Sequence, residues 1–182
     1  MGVWQLDPSH TQVEFAVKHL GMMTVRGYFA DVRASGDINV QHPEDSSVEV
    51  VIQTASVRTN NDRRDAHLRT SELLDVENHP TMLFKSTTVE AVATDRYSMN
   101  GDLTIKGNTR AVTLAVVNYG ELSDPMMGHR IGYGAETRIQ RKDFGLNIDT
   151  VLDGRLVLGN EIQITIEGEL VETANEPAGA TR

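Results

Sequence analysis

Apolar and polar residues alternate along most of this chain. In QVEFAVKHL, Val13, Phe15 and Val17 share one face of an extended backbone, while Gln12, Glu14 and Lys18 fall on the other or at its edge. In YSMNGDLTI the row is Tyr97, Met99, Leu103 and Ile105, with Gly101 between. In RIGYGAETRI it is Ile131, Tyr133, Ala135, Thr137 and Ile139, and in EIQITIEGEL it is Ile162, Ile164, Ile166 and Leu170. Period-2 alternation predicts strands with one dry and one wet face. About eight such segments occur, near 11–20, 24–40, 47–57, 81–92, 96–106, 109–120, 128–141 and 161–172, punctuated by turn signals such as Gly107-Asn108, Asp124-Pro125 and Gly159-Asn160. No strand–helix–strand rhythm is present, so the expected class is all-β and antiparallel. The segments near 24–40 and 128–141 are longer than an ordinary strand, which favours a closed up-and-down barrel, with Gly27 and Gly101 permitting the bend. Charged outer faces place water rather than lipid outside it.

One stretch breaks the pattern. RTNNDRRDAHLRTSELLDVENHP, residues 58–80, is charged and helix-friendly. Asn60, Asn61 and Asp62 offer N-caps, and His79-Pro80 ends any helix. Leu68 lies well round the helical wheel from Leu73, so two short helical turns fit better than one straight helix. Such an element cannot join a sheet. It is expected to close one end of the barrel as a lid between the third and fourth strands, with Leu68, Leu73 and Leu74 inward and its charges in water. Asp65 and Arg69, one helical turn apart, are expected to form a surface ion pair.

Composition narrows the function. The chain has 182 residues, enough for one domain with a real core, assigned here to 1–172, and a patternless tail at 173–182. Lys plus Arg number 17 against 26 Asp plus Glu, a formal charge of −9, which argues against nucleic acid and against adsorption to an anionic bilayer. Cysteine is absent, so thiolate and disulfide chemistry are excluded. The start MGVWQLDPSH has no basic and apolar leader pattern, Leu6 breaks the myristoylation pattern, and no apolar run is long enough to span a membrane. The expected location is cytoplasmic, for a protein not integral to a membrane.

Several chemistry-bearing motifs fail on inspection. Asp7, Ser9 and His10 in LDPSH would point to opposite faces of an extended strand, and no G-x-S-x-G elbow exists. Asp65 and His67, two apart on a helix, do not face one another as metal ligands would. KGNTR lacks the glycines of a phosphate loop and reads as a hairpin. RKDFG should pack Phe144 at a strand end while Gly145 turns the chain. No cofactor or metal site is expected. Eight strands enclose an interior that is either filled by side chains or holds one small ligand. The small inward residues Gly101, Ala135 and Thr137, and the methionine pairs Met22-Met23 and Met126-Met127 beside turns, favour a ligand with a portal. The same residues also describe a filled core, and the pattern alone leaves both open.

The order WQLDPSHTQVEFAVKHL, VRGYF, RRDAHLRTSELLDVENHPTMLFKS, NGDLTIKGNTRAVTL, RKDFGL and GNEIQITIEGEL, spanning residues 4–172, resembles the YceI-like family of lipocalin-like polyisoprenoid-binding proteins. The resemblance implies an eight-stranded antiparallel barrel holding a long isoprenoid or other amphiphile in a tubular pore, and a homodimer. Two departures stand out: family members often carry a secretion signal, and aromatics usual after Arg69-Thr70-Ser71-Glu72 are here Leu73 and Leu74. The expected lining is Phe15, Val17, Met22, Phe29, Phe84, Tyr97, Met99, Leu103, Ile131, Tyr133 and Phe144, with Leu68, Leu73 and Leu74 from the lid. A polar or diphosphate head group would sit at the mouth near His19, Arg63, Arg64, His67 or Arg110. His19 continues the row of Val13, Phe15 and Val17 and so is expected to point inward. The resulting function is non-catalytic binding, sequestration or transport of a polyisoprenoid. Two alternatives are an isomerase or hydrolase of lipid-like substrates using His19 or His10 with a carboxylate, and a packed barrel serving only as an interaction surface.

Overall fold

The structure, a computed structural model, describes residues 2–39 and 42–173. Twelve strands form: β1 (Gly2–His19), β2 (Met23–Phe29), β3 (Val32–Ile38), β4 (Ser47–Gln53), β5 (Val57–Arg58), β6 (Thr81–Ala93), β7 (Arg96–Ile105), β8 (Asn108–Asp124), β9 (Gly128–Gln140), β10 (Val151–Leu152), β11 (Arg155–Leu156) and β12 (Leu158–Thr173). One α-helix, α1 (Asp62–Arg69), lies between β5 and β6. The order β12-β9-β8-β7-β6-β4-β3-β1 closes through β1–β12 pairing, giving an eight-stranded antiparallel barrel. Closure leaves no unpaired edge around the ring.

The long second segment is broken once. β1 pairs with β2 through residues 13–19 and with β3 through Gly2–Gln5, so β2 and β3 act as one strand kinked at 30–31. The next strand kinks at the same level, between β4 and β5, where Ala30 N–H donates to Ser56 O and Gln53 N–H to Asp31 O. Between β7 and β8, Lys106 and Gly107 both adopt positive φ (49° and 73°), the two-residue hairpin geometry that favours glycine. KGNTR is thus a hairpin. The tail expected at 173–182 lies outside the described residues except for Thr173, which ends β12.

The lid differs from its expected form in two ways. It is one eight-residue helix followed by turns. Asn61 is its N-cap, its side-chain oxygen accepting from Arg64 N–H at 3.0 Å, and the helix ends at Thr70, well before His79-Pro80. Its charges do not all face water. Asp65 is buried and accepts from the Thr59 N–H at 2.9 Å and from the Thr59 hydroxyl. Arg69 donates to the carbonyls of Ala55 and Val57 rather than to Asp65, and Arg64 donates to the hydroxyl and carbonyl of Thr59. A helix so short and so charged, with only Ala66 and Leu68 apolar, has too little apolar surface to dock by burial alone; these charge-assisted bonds fix it to the rim.

Beneath the lid, Val57, Leu74, Met82, Phe84, Leu103, Ile105, Leu114, Val116, Ile139, Phe144 and Leu146 form the main core. A second, smaller cluster of Trp4, Ile38 and Ile131 sits at the opposite end.

Candidate functional site

An apolar cavity of about 290 Å³ runs inside the barrel. Its wall begins at the lid with Leu68, Leu73 and Leu74 and continues past Phe84, Leu103 and Met99. It ends near Ile38, Asn39, Pro43 and Ser46, beside the loop that joins β3 to β4. The alternating rows read from the sequence supply a large share of the wall: Val13, Phe15 and Val17 from β1, Tyr133, Ala135, Thr137 and Ile139 from β9, and Ile162, Ile164, Ile166 and Leu170 from β12. Pleating carries every second residue of a strand to the same side, so each row faces the lumen as a unit.

Of the expected lining, Phe15, Val17, Phe29, Leu68, Leu73, Leu74, Phe84, Tyr97, Met99, Leu103 and Tyr133 lie on the cavity wall. Three do not. Met22 is 61% exposed in the turn between β1 and β2. Ile131 is fully buried, but against Trp4 and Ile38, behind the wall. Phe144 is 1% exposed and belongs to the core under the lid without reaching the wall. It does play the packing role expected of RKDFG, with Gly145 turning the chain at φ 73°. Gly101 and Gly27 leave no void: a Cβ at Gly101 would lie 2.4 Å from the Phe84 ring, and one at Gly27 the same distance from the Phe15 ring. Each glycine makes room for a neighbouring aromatic side chain. The methionine pairs stay outside as well, with Met126 96% exposed.

None of the five expected head-group residues reaches the wall. His19 is exposed, because the β1–β12 register slips between Val17 and His19 and ends the simple alternation. Arg63 is exposed. Arg64 is engaged with Thr59 as described, and exposed His67 pairs with Glu72 at 2.7 Å. Arg110 borders a separate, solvent-facing groove of about 800 Å³ on the outer face of β7, β8 and β9. The groove is more open to solvent and partly polar, whereas the lumen lies inside the closed barrel and is almost wholly apolar, so the lumen is the better binding site.

Polar groups gather instead at two places that the sequence did not reveal. At the lid end Arg141, fully buried, donates to the carbonyls of Leu146, Ile148, Leu158 and Gly159 and to the Asp149 carboxylate. It thereby pins the segment 145–159. At the far end β1 bulges between Leu6 and Thr11. The bulge does bring Asp7, Ser9 and His10 together, contrary to the extended-strand expectation: Asp7 accepts from the Ser9 N–H at 2.9 Å and lies 3.0 Å from His10 Nδ1. Asp7 also accepts from Arg130 at 2.6 Å, and Arg130 donates to Glu169 at 2.9 Å. Arg130 first, then His10 and the Ser9 N–H, hold the Asp7 carboxyl well below the usual range. Ligand atoms of Asp7, His10 and Glu169 lie within 4.8 Å of one another, but the Arg130 guanidinium already engages both carboxylates. Nearby, His129 bridges Glu172 at 2.9 Å and Glu121 at 3.1 Å, and those two carboxylates, Glu172 foremost, raise its pKa. Its ring meets Trp4 edge-on, with centroids 5.0 Å apart.

Among the described residues no helix is long and apolar enough to cross a membrane. The YceI-like domain model matches residues 4–170. A UPF0312 protein of Azotobacter vinelandii is 38% identical over 143 residues, covering 79% of this chain and 74% of its own length. The crystal structure of a Campylobacter jejuni YCEI protein superposes with a TM-score of 0.74 at 28% identity, covering 86% of this chain and 90% of that one. A polyisoprenoid binding domain from Saccharophagus degradans, implicated in plant cell wall breakdown, shares the fold with a TM-score of 0.71 at 15% identity, covering 95% of this chain and all of that one. With the family model matched across the whole barrel, this chain belongs to the YceI-like domain family.

Proposed function

We propose that this barrel binds a polyisoprenoid or similar long amphiphile in its lumen, to sequester or carry it without chemical change. The observation that carries the reading is the apolar cavity inside the closed barrel, running from the lid toward the β3–β4 loop. A cavity of that kind stays dry and favours a chain-shaped guest, since each buried CH₂ contributes about 0.8 kcal/mol. Net affinity is smaller than the summed burial, because ordering a flexible chain costs entropy. Its volume falls near the lower end of the ~300–1,000 Å³ of ordinary ligand pockets. The polyisoprenoid-binding domain with the same fold supports the choice of guest. Binding is favoured over turnover because the two histidines considered for catalysis, His10 and His19, are both exposed and neither lines the cavity.

The test is solvent extraction of protein purified from its native host, followed by mass spectrometry. A stoichiometric prenyl-chain lipid is the expected result. Met99→Trp, which fills the wall midway along the cavity, should lower occupancy several-fold while thermal unfolding stays cooperative. An empty extract from the native protein, or equal occupancy in the variant, would sink the reading.

A further inference from the structure

Five large apolar side chains are left exposed together at the lid end. Met22 and Met23 sit in and beside the turn between β1 and β2, while Val151, Leu152 and Leu156 belong to the β10–β11 hairpin; all but Leu156 are more than half exposed. Backbone bonds hold the two pieces side by side: Leu20 N–H donates to Val157 O at 3.1 Å, and Val157 N–H donates to Thr150 O at 2.9 Å. Val151 stands opposite Leu156 and Leu152 opposite Arg155, so the hairpin exposes apolar side chains on both faces. Buried Arg141 anchors its root through the carbonyls of Ile148 and Leu158. A two-stranded hairpin has little stability of its own, and a fixed root that holds apolar residues out in water points to a surface that covers them.

The charge at this end differs from that of the whole chain. Every lysine and arginine among the described residues that lacks a carboxylate partner lies at the lid end, or a few residues from it along β1, β2 and β8. Lys18 and Arg26 flank the β1–β2 turn, and Arg155 reaches from the hairpin to Leu20 O at 3.5 Å. At the opposite end the loops carry Glu44, Asp45 and Asp95 and, among the described residues, no lysine or arginine. The formal charge of −9 is thus a sum over two unlike ends. Exposed apolar side chains among free cations match an anionic bilayer, which offers acyl chains to the first and phosphates to the second. A second copy of this chain fits less well, because it would bring the same unpaired cations to the contact.

We propose that the lid end docks on an anionic phospholipid bilayer, with Met22, Met23, Val151, Leu152 and Leu156 toward the acyl chains and Lys18, Arg26 and Arg155 on the phosphates. Asp153 tips the hairpin, so the hairpin lies along the head-group layer and does not enter end-on. Leu146 and Leu158, which bracket the hairpin segment, line the cavity, so the docking surface is continuous with the lumen wall. The role of the surface, exchange of guest between bilayer and lumen without passage through water, rests on the chain-binding reading above.

Full-length protein would be sedimented with sucrose-loaded vesicles of phosphatidylcholine alone, and of phosphatidylcholine mixed equally with phosphatidylglycerol, at low and high salt. Binding is expected on the mixed vesicles at low salt, about tenfold weaker on phosphatidylcholine alone and similarly reduced at high salt. Lys18→Gln combined with Arg26→Gln should weaken it about tenfold, and Leu152→Ser and Met23→Ser about fivefold each. Met126→Ser, which removes an even more exposed apolar side chain from the opposite end, should change nothing. Should a variant lose its cooperative melt, amide exchange of the natural protein decides, with protection by the mixed vesicles confined to residues 19–26 and 149–158. No sedimentation with either vesicle, equal sedimentation with both, or a loss in Met126→Ser as large as in Leu152→Ser would overturn the docking surface. Self-association through these residues in place of vesicle binding would assign them to a second copy instead. Those outcomes leave the chain-binding reading standing, since extraction of the guest tests it separately. Vesicle binding by a protein whose native extract is empty would keep the surface and remove its role in transfer.

Discussion

The two ends of the barrel solve closure by opposite means. At the lid end, Phe144, Leu146 and Leu74 form a dry core, and the buried charges of Arg141 and Asp65 are satisfied almost wholly by backbone and hydroxyl groups. At the far end only Trp4, Ile38 and Ile131 are fully packed, and the surrounding rim is tied by the ion pairs Asp7–Arg130–Glu169 and Glu121–His129–Glu172. Buried charges with saturated partners act as rigid pins, because removing one leaves the others unpaired in a low-dielectric setting. Partly exposed ion pairs contribute little each and respond to salt and pH. The contrast makes the lid end the fixed base of the tunnel and the far end the adjustable one.

The largest test of that contrast is Arg141→Met. It strands the carbonyls of Leu146, Ile148 and Leu158 in the interior and should cost about 3–5 kcal/mol in chemical denaturation. A loss below about 1 kcal/mol would show that the segment 145–159 is held by packing instead. Asp65→Ala should follow at about 2–3 kcal/mol, since it orphans the Thr59 N–H under the lid. Faster amide exchange confined to residues 59–70 would locate the damage.

The rim should respond to pH more than to truncation. Asp7 titrates lower when folded than when unfolded, so its contribution is present above its unfolded value of about 3.9 and fades as pH falls toward the depressed folded value. Arg130→Gln should flatten that acid-side loss in a plot of melting temperature against pH. His129 runs the other way. Its folded pKa is raised, so its contribution is full below the unfolded value of about 6.5 and is lost as pH climbs through the folded one. His129→Gln should remove this slope, the smallest effect of the set, and a slope that persists would assign it to another group.

Much of the barrel was legible before any coordinates. The rows built on Val13, Tyr97, Ile131 and Ile162 follow from alternation alone, because a pleated strand has only two sides. An N-cap among Asn60, Asn61 and Asp62, and the turns at Gly107 and Gly145, were legible for the same kind of local reason, being chemistry contained within a few residues; the structure settles the cap on Asn61. His19 escaped because a register slip is a property of two strands together, not of one. The filled glycine sites escaped likewise: Phe84 covers Gly101 from a neighbouring strand, and nothing in either segment alone announces it. The lid charges were misjudged because a charged helix ordinarily faces water, and only the fold brings the carbonyls of Ala55 and Val57 and the polar groups of Thr59 within reach as partners.

What the sequence determined by itself, then, was the set of strands, the inward side of each and the one interruption between them. These depend on short-range periodicity, which every segment carries within its own length. Which end is tied by buried charge, and where Asp7, Arg130 and Glu169 come together at the other, was decided only in three dimensions. Such convergence depends on pairing register among β1, β9 and β12, strands brought together by barrel closure rather than by nearness along the chain.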